Sequence, residues 1–150
     1  MGPAVRGNPL RIFVFLLVIS YFVGEFFIPS YPLFNLLNLI GIMGLILCLA
    51  LFFSSLNLFN SYKENPTPQS NTKRIIKTGI FAYCRNPMYL ALLILQAGIG
   101  MILSVIHIIF FTIFTFIVLK YYVIIPEEQY LENKFGNVYL QYKKSVRRWI

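Results

Sequence analysis

The chain alternates long apolar blocks with short polar windows. Apolar residues run almost unbroken over 12–28, over 33–59 with the densest part at 36–53, and over 88–125. A helix needs about 20 apolar residues to cross the hydrocarbon core of a bilayer. The first two blocks therefore predict one spanning helix each, over 12–28 and 34–57. The third block, Met88 to Ile125, is 38 residues long. That is too long for one span and just long enough for two. Ser104 and His107 are its main polar interruptions, so a very short turn is expected there, with spans over 88–104 and 107–125. On this reading His107 is an interfacial residue of the turn. Pro29-Ser30-Tyr31-Pro32 predicts a tight turn between the first two spans. The first block also has the form of a signal peptide, but Glu25 and Pro29 stand where cleavage would fall, so it reads as a retained helix. Glu25 reads as a carboxylate reaching the interface. Gly41 and Gly44 lie three apart on one side of the second helix and predict close helix packing.

After Pro126 the pattern changes. Leu131, Phe135, Tyr139, Tyr142, Val146 and Trp149 recur at three- and four-residue spacing, an amphipathic helical stripe that Gly136 bends or breaks. Lys134, Lys143, Lys144, Arg147 and Arg148 fall on the opposite side. Such a stripe suits packing on the protein or lying on a membrane surface. The expected fold is all-α and integral to the membrane. It has about four transmembrane helices in a single domain over 1–150, with an amphipathic C-terminal segment at 126–150.

Composition agrees. Hydrophobic residues make up 58% of the chain and charged residues 12%, about half the usual charged share, which excludes an ordinary soluble domain. Thirteen Lys and Arg face five Asp and Glu, for a net charge of +8. Basic excess can mean nucleic acid, but here the cations flank the apolar blocks. Arg6 and Arg11 precede the first, and Lys63, Lys73, Arg74 and Lys77 occupy the loop over 60–78. Topology and anionic lipid explain that placement, and no nucleic-acid partner is expected. Both inter-span turns lack Lys and Arg, so the positive-inside rule puts both termini and the middle loop in the cytoplasm. Cys48 and Cys84 form neither a disulfide framework nor a metal-ligand spacing. His107 has no ligand partner nearby in sequence, so no metal site is expected.

One polar stretch holds the candidate chemistry. Lys77 to Leu90 is basic and punctuated by Gly79 and Pro87. Pro87 disfavours helix at Asn86 and leaves backbone groups free at the mouth of the third span. The span count puts this stretch on the same membrane face as Glu127 and Glu128, which follow Pro126. A carboxylate there can simply favour a helix N-terminus. Two carboxylates facing an Arg-Asn-Pro loop suggest a polar pocket for a ligand bearing charges and hydroxyls.

The run Gly79-Ile-Phe-Ala-Tyr-Cys-Arg-Asn-Pro-Met-Tyr89 resembles the signature of the integral-membrane methyltransferases. These include isoprenylcysteine carboxyl methyltransferases and phospholipid N-methyltransferases. Their pattern continues through a helical hairpin to a Glu-Glu pair, matched here by Pro126-Glu127-Glu128 and then Phe135-Gly136, Tyr139 and Tyr142. The resemblance covers about residues 66–150. It implies S-adenosyl-L-methionine as cofactor. It also implies a pocket formed by Tyr83, Arg85, Asn86, Pro87 and Tyr89, with Glu127 and Glu128 on the ribose hydroxyls or the amino group. Arg85, Glu127 and Glu128 are the implied catalytic residues. Gly98-Ile99-Gly100 suits either close approach of a cofactor or close helix packing. The activity implied is isoprenylcysteine carboxyl methyltransferase-like, with two departures: Asn86 stands where the prenylcysteine branch commonly has His, as in other branches of the family, and Ala91 where many members have Gly.

In-line methyl transfer needs neither a metal nor a covalent enzyme intermediate. It needs alignment and exclusion of water. A carboxylate acceptor requires no base, whereas a protonated amine requires one, for which Glu127 or Glu128 is the first choice. The acceptor implied is a lipid or lipidated small molecule entering sideways from the membrane. Two other readings remain at this point: a non-enzymatic scaffold or accessory subunit that keeps the fold, and a small transporter. The transporter reading predicts ionisable residues buried in mid-span, and only Glu25 and Lys120 approach that.

Overall fold

The computed structural model describes residues 7–27 and 35–149. The expected turn at Pro29–Pro32 and Arg6 lie outside the described residues. Six α-helices make up most of the rest, and no strand occurs among the described residues. They are α1 (Pro9–Phe27), α2 (Asn35–Ser61), α3 (Pro87–Ile102), α4 (Ile106–Leu119), α5 (Ile125–Phe135) and α6 (Asn137–Ser145). A 3₁₀ turn (Gly79–Ala82) precedes α3, and a π-helical stretch (Lys120–Ile124) joins α4 to α5 without a break.

Helix α1 starts where Asn8 Oδ1 accepts the Leu10 N–H at 2.9 Å, a side-chain cap on an otherwise unpaired donor. Its buried residues, Phe13, Leu16, Ser20 and Gly24, recur at three- and four-residue spacing and mark the face that meets α4. Helix α2 lies along α3, where Gly41 and Gly98 face each other. A Cβ on Gly41 would stand 2.9 Å from the Gly98 carbonyl oxygen. The predicted small-residue contact is therefore present. Gly98 and Gly100 serve helix packing, Gly100 against Ile108 and Ile109.

The apolar block at 88–125 folds as the expected hairpin. The turn falls at 103–105, with Ser104 in the left-handed region (φ 58°) and the Val105 N–H donating to Gly100 O at 2.8 Å. The interfacial assignment of His107 does not hold. Its side chain is buried, 2% exposed, and fills the notch left by Gly24, where a Cβ would meet the ring at 1.8 Å. Helix–helix packing has overridden the polarity of the imidazole.

Among the described residues, three helices are long and apolar enough to cross a membrane: Pro9–Phe27, Leu36–Ser61 and Ile106–Phe135. The protein is accordingly a multi-pass membrane protein. The third of these is 30 residues long, about 45 Å at 1.5 Å per residue. That exceeds a hydrocarbon core of about 30 Å, so its polar end, from Pro126 onward, projects beyond the apolar part. Helix α3 is shorter, at 16 residues.

The polar end is closed by a folded cap. Gly136 (φ 51°, ψ −126°) takes a backbone conformation that side chains disfavour, and it separates α5 from α6. The amphipathic stripe packs on the protein: Tyr139 and Tyr142 are 2% and 5% exposed. The loop over 62–78 is pinned to this cap. Asn71 Oδ1 accepts from Tyr130 Oη at 3.1 Å and from Lys134, and Lys77 Nζ reaches Val138 O at 3.3 Å.

Candidate active site

The motif stretch owes its shape to local rules. Gly79 sits at φ 57°, and a Cβ there would come within 2.8 Å of Leu58. Only glycine satisfies both demands, so the chain can turn sharply under α2. Phe81 packs edge-on against Phe59, and its carbonyl accepts the Tyr142 hydroxyl at 2.7 Å. Burial holds the Tyr142 phenol well above its usual range, so it stays a donor. Burial likewise pushes up the Cys84 thiol, which is fully enclosed. Pro87 then opens α3, its missing N–H costing nothing at a helix start.

The end of this stretch forms one wall of a cavity of about 260 Å³. Arg85, Asn86, Pro87, Met88, Tyr89 and Leu92 line it from the motif and α3, and Glu127 from the start of α5. Phe52, Leu56 and Phe59 of α2 and Pro9 and Leu10 of α1 supply an apolar side, and Pro66, Thr67 and Pro68 close it from above. A smaller cavity of about 80 Å³ shares Arg85, Glu127 and Phe81 with it. Together they reach the range of roughly 300–1,000 Å³ typical of small-molecule sites.

The predicted site residues divide into three groups. Arg85, Asn86, Pro87, Tyr89 and Glu127 come together at the main cavity. Within it the Tyr89 hydroxyl donates to Glu127 Oε2 at 2.7 Å, fixing the carboxylate. Glu128 is near but turned away. Arg148 grips it with Nε at 3.0 Å and Nη2 at 2.7 Å, and Arg85 Nη2 lies 3.3 Å from the same carboxylate. Tyr83 is 74% exposed and lines neither cavity.

Arg85 has an uneven environment. Its side chain is 8% exposed, and only Nη2 faces Glu128. Its Nε and Nη1 are buried and have no hydrogen-bond partner among the described residues. Buried guanidinium donors without partners are costly. Beside a cavity they suit an anionic or carbonyl-bearing ligand.

The π-helical stretch explains why two adjacent glutamates differ. Pro126 has no N–H to give a preceding turn, and the widened turn at Lys120–Ile124 absorbs that defect inside one continuous helix. Glu127 and Glu128 thus do not cap a free helix end. Consecutive residues point about 100° apart on a helix, so one faces the cavity and the other the C-terminal segment. Sequence reasoning missed three contributors. Asn8 and the Pro66–Pro68 loop line the cavity although they lie far from the motif in sequence. Arg148, which the stripe pattern placed on an outward basic face, turns inward to Glu128.

A membrane-embedded helical bundle with a largely apolar, ligand-sized cavity that carries Arg85, Asn86, Tyr89 and Glu127 on one wall suits chemistry on a lipid-like substrate. The family profile for phospholipid methyltransferases matches residues 39–138. The chain belongs to this family. It is also similar to an uncharacterized protein of Haemophilus influenzae, 39% identical over 67 residues, which cover 42% of this chain and 100% of that protein.

Proposed function

We propose that this chain is an S-adenosyl-L-methionine-dependent methyltransferase that acts on a lipid or lipidated acceptor held in the membrane. The observation that carries the reading is the pairing, in one cavity, of the Tyr89-fixed Glu127 carboxylate with a buried Arg85 whose Nε and Nη1 have no partner among the described residues. The cofactor carries an ammonium, a sulfonium, ribose hydroxyls and a carboxylate. Glu127 suits its cationic or hydroxyl groups, and Arg85 suits its carboxylate. Asn86 adds an amide at the same wall. When bound, the cofactor supplies a methyl group activated for direct displacement.

The protein's own part is positioning. Tyr89 holds Glu127 in place, Pro87 fixes where α3 begins, and the apolar residues of α1 and α2 keep water away from the reacting atoms. A carboxylate acceptor needs no base. An amine acceptor must lose a proton, and Glu127, which lines the cavity, is the first candidate to take it. Helix α1 rests chiefly on α4 and α2 on α3, so the lipid acceptor enters between α1 and α2, whose apolar residues line the cavity.

The same reading takes α3 as a fourth span. At about 24 Å it is shorter than the hydrocarbon core of about 30 Å, a mismatch that local bilayer thinning accommodates. On this reading both termini and the cavity mouth face the cytoplasm, which the distribution of Lys and Arg supports. The test is transfer of a labelled methyl group from S-adenosyl-L-methionine into a lipid extract by the purified chain. Label in the lipid phase supports an enzyme. No label in any extract, with cofactor binding intact, favours a scaffold that keeps the fold.

A further inference from the structure

The C-terminal segment after α6 is tied to the motif by both its backbone and its side chains. The Arg85 N–H donates to Arg147 O at 3.0 Å. The Arg148 carbonyl accepts from Asn86 Nδ2 and from Cys84 Sγ, each at 3.5 Å. Three consecutive motif residues therefore meet two consecutive carbonyls of the tail. Trp149 packs on Phe116 (5.6 Å between ring centres) and against the cluster that holds Tyr89 and Leu92, both on the cavity wall. The side chain of Arg148 reaches Glu128 with two hydrogen bonds, which hold the guanidinium still more firmly in its charged form.

We propose that Arg148 is a positioning residue, and that the strap over 146–149 sets how Arg85 is presented to the cavity. This rests on the reading of the cavity as the methyl-donor site. One carboxylate stands between two guanidiniums. Arg148 takes Glu128 in the forked, two-point geometry that arginine and carboxylate favour. Arg85 is left a single contact at 3.3 Å, with Nε and Nη1 uncommitted. Without Arg148, Glu128 is free to take Arg85 in the same forked way, which consumes the donors now left for a ligand. Glu128 is thus an anchor, Glu127 the ligand-facing carboxylate, and Arg148 the clamp that keeps the two roles apart. Lys144 and Arg147 have exposed side chains, and Lys143 pairs with Glu132 at 2.9 Å rather than with Glu128.

The experiment compares Arg148→Gln, Arg148→Lys, Glu128→Gln and the Glu128→Gln/Arg148→Gln double variant of the full chain in detergent, with Lys144→Gln as the charge control. Two readouts are taken: the dissociation constant for S-adenosyl-L-methionine, and hydrogen exchange at the Arg85 amide, which the tail protects. Arg148→Gln is expected to weaken binding about tenfold or more and to speed exchange at Arg85 by a similar factor. Arg148→Lys recovers part of both, the double variant is no worse than the worse single one, and Lys144→Gln changes neither. Unchanged exchange in a folded Arg148→Gln protein overturns the clamp, as does faster exchange with unchanged binding. If the unmutated chain binds no cofactor, the methyl-donor reading fails, and the exchange readout alone decides whether Arg148 holds the strap.

Discussion

Glu127 and Glu128 are adjacent, chemically identical and held in different environments. Glu128 has both oxygens engaged by Arg148 and shares one with Arg85, with its side chain 7% exposed. Glu128→Gln leaves two guanidiniums facing a neutral amide. A loss of about 3 kcal/mol is expected from breaking so enclosed a pair, read as a lowered unfolding temperature in detergent. Tyr142 gives a pH prediction. Burial raises its pKa in the folded protein above the unfolded value of about 10. The fold therefore keeps a proton that the unfolded chain releases, so this contribution is complete below about pH 10 and is lost as pH rises further. Tyr142→Phe is expected to cost about 1 kcal/mol at neutral pH through the lost bond to Phe81 O, with a shallower alkaline decline in unfolding temperature. The sequence displayed both glutamates and the Arg-Asn-Pro run. It could not show which glutamate faces the ligand, because that depends on a π-helical turn and on a tail arginine twenty residues away.

At the scale of elements, the starts of the long helices fall within a few residues of the apolar blocks, but the last long helix runs unbroken to Phe135, ten residues beyond the expected end at 125, because the π-helical turn carries it through Pro126 into polar sequence. The hairpin turn was legible from the length of the 88–125 block and its polar interruptions at Ser104 and His107, and it falls at the Ser104 end of that window. His107 was misjudged because polarity near a turn suggests an interface, and nothing local reveals that Gly24, on a helix distant in sequence, leaves room for a buried ring. Gly41 was read correctly as a packing residue, and its partner is the Gly98 backbone. A carbonyl oxygen cannot rotate aside as a side chain can. Gly41→Val is therefore expected to push α2 from α3 and cost about 1–3 kcal/mol, seen as a lower unfolding temperature, whereas Gly44→Ala, with 3.6 Å to the nearest atom, is expected to be tolerated. Tyr83 shows the limit of motif reading: a residue inside the signature can point outward when the backbone turns beneath it.

At the scale of the molecule, apolar helices carry a polar cap whose parts come from four separate stretches: the start of α1, the loop over 62–78, the motif and the tail. Gln69 Nε2 donates to Gly7 O at 2.8 Å, so the segment just before α1 is tied to the middle loop. Composition and charge made the membrane character legible, and the motif made the family legible. The roof of the cavity was not, since Asn8 and Pro66–Pro68 meet the motif only through the tertiary fold. The central claim is that this cavity binds S-adenosyl-L-methionine through Glu127. Its most direct test is equilibrium binding of the labelled cofactor to the purified chain and to Glu127→Gln in detergent. The account predicts saturable binding by the unmutated chain and a loss of affinity of about tenfold or more in Glu127→Gln at unchanged unfolding temperature. No binding by the unmutated chain, or equal binding by both, would contradict it.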